Sequence, residues 1–396
     1  MAEPTGPLAD RVGRSTTSPP GAESGRDGRT WAIVAGGGTA GHVLPALAAA
    51  KALVQRGHPA QAIHFVGSAR GLERRLVPEA GFAITLLPGR GIARRLTAAN
   101  LGAVLGLSGA VVRAVALVAR RRPAVVLSVG GYAGLPCALA AAVLRVPLVL
   151  HEQNAVPGLA NRVAGRFARA SAVSFEGTSL PRAVVTGNPV GADILAVDRS
   201  PTGRARARES LGLPLTATVV AVFGGSLGAR RINEAAFGLV RAWAERSGVA
   251  VRHAIGARDW KGVQATLPRP PEGGLVYQPV EYEDRMPLLL AAADLAVCRA
   301  GGTSVAELAV TGLASVLVPL PIAPNDHQTA NAAALVRAGA AVVVPDGDLT
   351  PDRLVAELEP LVGQPGRLAA MGRAAREAGR PDAAERVAAL VEQHAR

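Results

Sequence analysis

The residue best suited by type and place to move a proton is His42, which closes the run Gly36-Gly37-Gly38-Thr39-Ala40-Gly41-His42. An imidazole changes charge near neutral pH and serves as general acid or base. The apolar run 31–35 precedes this turn and a helix-like run, 43–53, follows it. Strand, glycine turn and helix start point backbone N–H groups and a positive helix end at an anion. Glycines there let the backbone approach a phosphate or a sugar without an intervening Cβ. The spacing is neither the G-x-G-x-x-G fingerprint nor a P-loop, so the turn alone names no ligand.

Further polar clusters stand at comparable places. His151-Glu152-Gln153-Asn154 ends the apolar run 147–150. The stretch Cys298-Arg299-Ala300-Gly301-Gly302-Thr303-Ser304-Val305-Ala306-Glu307 leads from a strand into a helix. Thr303 and Ser304 there would offer N–H groups to a diphosphate, and Glu307 would accept two ribose hydroxyls. The same Ser304-x-x-Glu307 spacing also fits a capping box. Asn325-Asp326-His327-Gln328-Thr329-Ala330-Asn331 suits hydroxyl and amide recognition. No group has the spacing of a metal site, and no Gly-x-Ser-x-Gly elbow occurs.

These clusters need elements to hold them. Short apolar runs near 30–35, 62–66, 83–87, 124–129, 147–151, 171–174 and 183–186 alternate with helical runs at 43–56, 70–80, 97–121, 134–145 and 158–168. Continuous apolar strands between helices predict a parallel sheet covered on both faces. The pattern halts near Thr186-Gly187-Asn188-Pro189 and restarts at 218–223 with a second glycine turn, 224–228. Strands near 250–255, 275–278, 294–297, 315–318 and 341–344 continue it. A third glycine turn, 130–134, also follows a strand. Two doubly wound halves follow, with ligands beyond the carboxyl ends of the strands.

A chain of 396 residues with nearly half its residues apolar suits two domains with sizeable cores. Residues 1–29, rich in Pro, Gly, Ser and charge, read as a disordered extension and not a signal peptide. The net charge of +13 is confined to one region: residues 30–190 carry 17 Arg/Lys against 4 Asp/Glu. Such one-sided charge implies an anionic partner, whether nucleic acid, acidic lipid or phosphorylated substrate, unless it is a solubilising surface. A nucleic-acid binder would interleave aromatics with the arginines, and this half has few. Cys137 and Cys298 lie far apart, which favours a reduced compartment. The segment 101–119 is apolar apart from Arg113 and Ser108 and has the length of a bilayer span. Arginines flank both its ends (Arg94, Arg95; Arg120, Arg121, Arg122), so it reads as a helix partly core and partly surface. An apolar patch ringed by arginines suits a protein resting on an anionic membrane.

Taken together, GGGTAGH (36–42), SVGGYAG (128–134), HEQN (151–154), GNPV (187–190), GGSLGARRIN (224–233), CRAGGTSVAEL (298–308) and HQTANA (327–332) resemble the MurG family of lipid II-forming N-acetylglucosaminyltransferases. The likeness runs from about residue 30 over nearly the whole chain. It implies a GT-B fold, two Rossmann-like doubly wound parallel-sheet domains facing a central cleft. The implied division is 30–190 for acceptor and membrane, 191–375 for UDP-sugar, and a last segment, 376–396, packing back on the first domain. It also implies transfer of N-acetylglucosamine from UDP-N-acetylglucosamine to the muramyl 4-hydroxyl of lipid I, with inversion, on the cytoplasmic face of the cell membrane. No cofactor, metal or nucleic acid is implied.

By the same resemblance Gly225 and Ser226 meet the diphosphate, Gly302, Thr303 and Ser304 run along it, Glu307 takes the ribose and Gln328 the sugar hydroxyls. Gly38, Thr39, Ala40, Gly41 and Asn233 join the donor site. His42, as base, with Tyr132 and Asn154 meets the donor sugar from across the cleft, and Gly130, Gly131, Tyr132, His151 and Glu152 serve the acceptor. Three positions depart from the family: Ala40 stands where glycine is common, Gly191 where an arginine contacts donor, and Leu227 where many members carry Gln. The departures leave room for a related GT-B transferase with another lipid or secondary-metabolite acceptor. A UDP-N-acetylglucosamine epimerase on the same scaffold would need no lipid at all.

Overall fold

The computed structural model of the chain describes residues 30–69, 71–88, 99–225 and 228–396. The extension 1–29, Arg94 and Arg95, Ser226 and Leu227 lie outside them. Strands β1 (Ala32–Ala35), β2 (Ile63–Ser68), β3 (Ala83–Leu87), β4 (Val125–Ser128), β5 (Leu148–Glu152), β6 (Ala170–Val173) and β7 (Ala183–Val185) form one sheet, ordered β3-β2-β1-β4-β5-β6-β7. β8 (Thr218–Phe223), β9 (Val249–Ala254), β10 (Val276–Val280), β11 (Leu295–Cys298), β12 (Ala314–Leu317) and β13 (Ala341–Val343) form the second, ordered β10-β9-β8-β11-β12-β13. Every pairing is parallel, with Ala32 opposite both Ile63 and Val125 in the first sheet and Leu295 opposite Val220 in the second.

The apolar runs dictate this arrangement. Ile33, Val126, Leu127, Leu148 and Leu150 are fully buried, as are Val219, Val220, Val297 and Val316 in the second sheet. Such residues bury both strand faces only when helices cover each side. Alanine-rich helices provide that cover: Ala40–Gln55 packs Ala46, Ala49, Ala50 and Leu53 onto the first sheet, and Gly131–Val143 packs Ala138, Ala140 and Ala141. Both cysteines are buried and free.

In both sheets the order reverses beside the first strand, at β1/β4 and at β8/β11. Those are the switch points where loops diverge and leave a crevice. The two crevices face each other. The last helix, Ala383–His394, leaves the second half and lies against the helix Ala40–Gln55 and the first sheet. Arg56 grips it through Glu392 at 2.6 Å, and His58 through the same carboxylate at 2.9 Å.

The helix Ala99–Arg121 buries Ala110, Ala114, Leu117 and Val118 while Val112 and Arg113 stay exposed. Among the described residues, no helix is long and apolar enough to cross a membrane.

Candidate active site

A cleft of about 1030 Å³ opens between the two sheets. Thr39, Ala40, Gly41, His42 and Asn154 line it from the first half; Gly225, Gly302, Thr303, Ser304, Glu307 and Gln328 line it from the second. Helices beginning at Ala40, Arg230, Gly302 and His327 all start at its wall. The first N–H groups of a helix have no partner within the helix, and the dipole makes that end positive. The cleft is therefore built to hold an anion.

The helix at Gly302 shows how. Its cap is Gly301, with no side-chain cap, so Gly302, Thr303 and Ser304 form the first turn. The capping box is absent because the helix starts before Ser304, which leaves Glu307 free of that duty. Burial pushes the Glu307 carboxyl up to about 7, and the charge of Asp193 adds to the rise. Gln328 Oε1 accepts the Leu320 N–H at 2.9 Å, so its Nε2 amide is the group offered to a hydroxyl.

His42 sits in the first turn of its helix with Nδ1 3.0 Å from Thr39 Oγ1. Burial in the cleft lowers its pKa below the ordinary 6.5, the carboxylates of Glu152 and Glu73 oppose the shift, and His327 reinforces it. A neutral imidazole at pH 7 is the form that accepts a proton. If Nδ1–H donates to Thr39 Oγ1, Nε2 is left as the base.

Close approach of the halves depends on one glycine. A Cβ on Gly302 would overlap the carbonyl of Gln153 in the opposite half. Thr303 Oγ1 reaches the Gly41 carbonyl at 3.4 Å across the same seam. The turns 36–38 and 130–131 pack together likewise: Gly131, at φ +74°, has no room for a Cβ beside the Gly37 carbonyl.

Several residues expected at ligands do not line the cleft. Tyr132 donates its hydroxyl to the Pro88 carbonyl at 2.8 Å. His151 is buried, with Nδ1 on Gln153 and Nε2 toward the Gly187 carbonyl. Glu152, 2 % exposed, accepts from Asn154 N, Gly158 N and Asn161 Nδ2, and so shapes the loop after β5. Gly130 and Gly131 face Asn161 and Gly37. Asn233 is buried on Ile255 O, Asp259 and His253 beneath the second glycine turn. Gly38 gives its N–H to Glu73. Ser226 lies outside the described residues. Gly191 caps a short helix, where Asp193 Oδ1 fills the place of a Cβ, and it does not line the cleft.

Other lining groups carried no expected role. Arg230 and Arg231 follow the second glycine turn after Ala229 alone, at the start of the next helix, a position that was itself a signal. Arg299, anchored on the Val318 and Pro319 carbonyls, meets Asp346 at 2.6 Å, and Arg231 meets the same carboxylate at 3.3 Å. Arg258 lines the same wall and pairs with Asp259, and the carboxylates of Glu234, Glu281 and Glu283 stand beside these arginines. Among the described residues no cluster of three His, Cys, Asp or Glu side chains is placed to hold a metal ion.

Two facing parallel-sheet domains with a cleft between them are the GT-B fold, and the matching family models assign it here to the glycosyltransferases. Residues 32–173 match the glycosyltransferase family 28 N-terminal domain and residues 219–387 the family 28 C-terminal domain. The chain is 45% identical over 359 residues to a protein of Nocardioides sp. named UDP-N-acetylglucosamine--N-acetylmuramyl-(pentapeptide) pyrophosphoryl-undecaprenol N-acetylglucosamine transferase, covering 91% of this chain and 96% of that one. A protein of the same name from Desulforudis audaxviator is 40% identical over 373 residues, covering 91% and 97%. The crystal structure of Acinetobacter baumannii MurG superposes with a TM-score of 0.70 at 30% identity, covering 92% of this chain and 99% of that one. The chain belongs to the MurG family of these N-acetylglucosamine transferases.

Proposed function

We infer that this chain transfers N-acetylglucosamine from UDP-N-acetylglucosamine to the muramyl 4-hydroxyl of lipid I, giving lipid II for peptidoglycan, with inversion at the anomeric carbon. One observation carries the mechanism: a titratable imidazole from one half and the open first turn of the helix Gly302–Thr311 from the other line a single cleft. The donor lies on the second half, with its diphosphate at Gly225, Ser226 and the N–H groups of 302–304. Glu307 takes the ribose hydroxyls and Gln328 the sugar. Arg231 and Arg299 supply the guanidinium that Gly191 lacks. His42 Nε2 removes the proton from the attacking hydroxyl as the bond to UDP breaks, and the helix ends stabilise the departing charge. Thr39, Ala40, Gly41 and Asn154 close the donor site from the acceptor half.

The division 30–190, 191–375 and 376–396 belongs to this reading, as does peripheral binding to the cytoplasmic membrane face through the basic first half. Each arginine near an anionic surface is worth about 1 kcal/mol, so a cluster holds without a spanning helix. Radiolabelled transfer from UDP-N-acetylglucosamine to a lipid I analogue tests the activity. Labelled lipid II is the expected product; UDP release or epimer formation without transfer overturns it. Co-sedimentation with anionic vesicles at low salt tests the membrane reading, which fails if the protein stays wholly in solution.

A further inference from the structure

Behind the first glycine turn lies a buried carboxylate that no step of the transfer uses, although its charge opposes the lowering of the His42 pKa. Glu73, 1 % exposed, opens the helix Glu73–Glu79 after β2. Its Oε2 accepts the Gly38 N–H at 2.8 Å and its Oε1 the Ser68 N–H at 2.7 Å. One carboxylate thus ties the exit of β1 to the exit of β2. Gly37, Gly67 and Gly71 surround it, and a Cβ on any of the three would overlap the Glu73 side chain. The socket is cut to this one group.

We propose that Glu73 is a positioning residue for the transfer, which fixes His42 through the turn it holds. Gly38 adjoins Thr39, the cap of the helix Ala40–Gln55. The Thr39 carbonyl accepts the N–H groups of His42 and Val43, each at 3.1 Å, and Thr39 Oγ1 meets His42 Nδ1. Holding Gly38 therefore sets where the helix begins and where the imidazole points. A carboxylate is the fitting anchor because it accepts on both oxygens. Glutamine keeps one acceptor and turns an NH2 toward the other N–H, so the turn must shift.

The proposal rests on His42 as the base, and the test separates the two. Full-length Glu73→Gln, Glu73→Asp, His42→Ala and the double variant Glu73→Gln/His42→Ala are assayed for kcat, both KM values, the pH profile of kcat and the unfolding midpoint. Displacement of a reacting group by about 1 Å costs roughly a hundredfold, so Glu73→Gln is expected to lower kcat about 10- to 100-fold per folded molecule. The KM for UDP-N-acetylglucosamine should change far less than kcat, since the diphosphate and ribose contacts lie on the other half and only Thr39, Ala40, Gly41 and Asn154 close the donor site from this one. The limb of the pH profile due to His42 should move. In the His42→Ala background the added Glu73→Gln should lower kcat by less than about twofold, because groups acting as a unit are not additive. Glu73→Asp, too short to reach both N–H groups, gives the same comparison should Glu73→Gln not fold. Retained kcat in the glutamate variants with an inactive His42→Ala overturns the proposal alone. A full additional loss in the double variant, or a loss that only tracks the folded fraction, also overturns it. An active His42→Ala overturns both.

Discussion

Asn331, on the second half, donates its amide to Asn154 Oδ1 of the first half at 3.1 Å and accepts the Ala155 N–H at 2.8 Å. The same amide also donates to the Ala300 carbonyl, and the residue is fully buried. Asn154 in turn gives its N–H and Nδ2 to Glu152. The loop after β5, the turn between β11 and the helix Gly302–Thr311, and the helix His327–Arg337 therefore meet at one amide. Asn154 lines the cleft as a joint between halves, with its own amide already paired.

Removing that amide takes a partner from the part-buried Ala155 N–H and Asn154 Oδ1 and from the buried Ala300 carbonyl, which costs about 1–3 kcal/mol. Asn331→Ala is expected to lower the thermal midpoint, by roughly 2–4 °C per kcal/mol for domains of this size. Differential scanning calorimetry checks this; an unchanged midpoint means the seam does not hold the halves together.

Gly302→Ala probes the seam without touching either core. Its Cβ has no room beside the Gln153 carbonyl, so the halves must part. We expect kcat/KM for the donor to fall at least about tenfold, since small misplacements across a reacting site are costly. The midpoint of unfolding should move far less. Wild-type kinetics would show that the halves work at a wider separation.

Glu307 predicts a pH dependence of donor binding. Its pKa of about 7 makes it protonated in the empty cleft below that pH and ionised above it. Only the carboxylate accepts from two hydroxyls at once. Affinity for UDP, read by calorimetry, should weaken as pH falls from about 8 to 6, and Glu307→Gln should flatten that slope. A slope unchanged in the variant removes Glu307 from the ribose.

Three buried histidines set the response to acid. Burial lowers His64 and His151 to about 4 and His253 to about 3, against about 6.5 when unfolded. Below pH 6.5 the unfolded chain binds protons that the folded chain refuses, so stability falls as pH drops from 6.5 toward those values. It is fully present above 6.5. Thermal midpoints across pH 4–8 check the window, and His253→Gln should reduce the drop. A flat profile contradicts the burial.

The strands were legible because continuous apolar runs need cover on both faces, whatever the partner. The glycine turns were legible because they end those runs. Chain-distant pairings were not: nothing near Glu73 in sequence announces Gly38, and nothing near Asn331 announces Asn154. The polar residues His151, Glu152 and Asn233 look ligand-facing in sequence. Each instead meets the demand of loop backbone and buried neighbours for hydrogen-bond partners. Tyr132 follows the same rule, with its hydroxyl on a carbonyl beside β3.

The central claim is that the acceptor half supplies the base and the other half holds the donor. His42→Ala tests it most directly, with kcat for transfer to a lipid I analogue and affinity for UDP measured on the same preparation. Loss of a general base lowers turnover by about 10²- to 10⁴-fold. That fall with UDP affinity unchanged is the predicted result. A turnover equal to that of the wild type, or a loss of UDP binding that accounts for the whole effect, would contradict it.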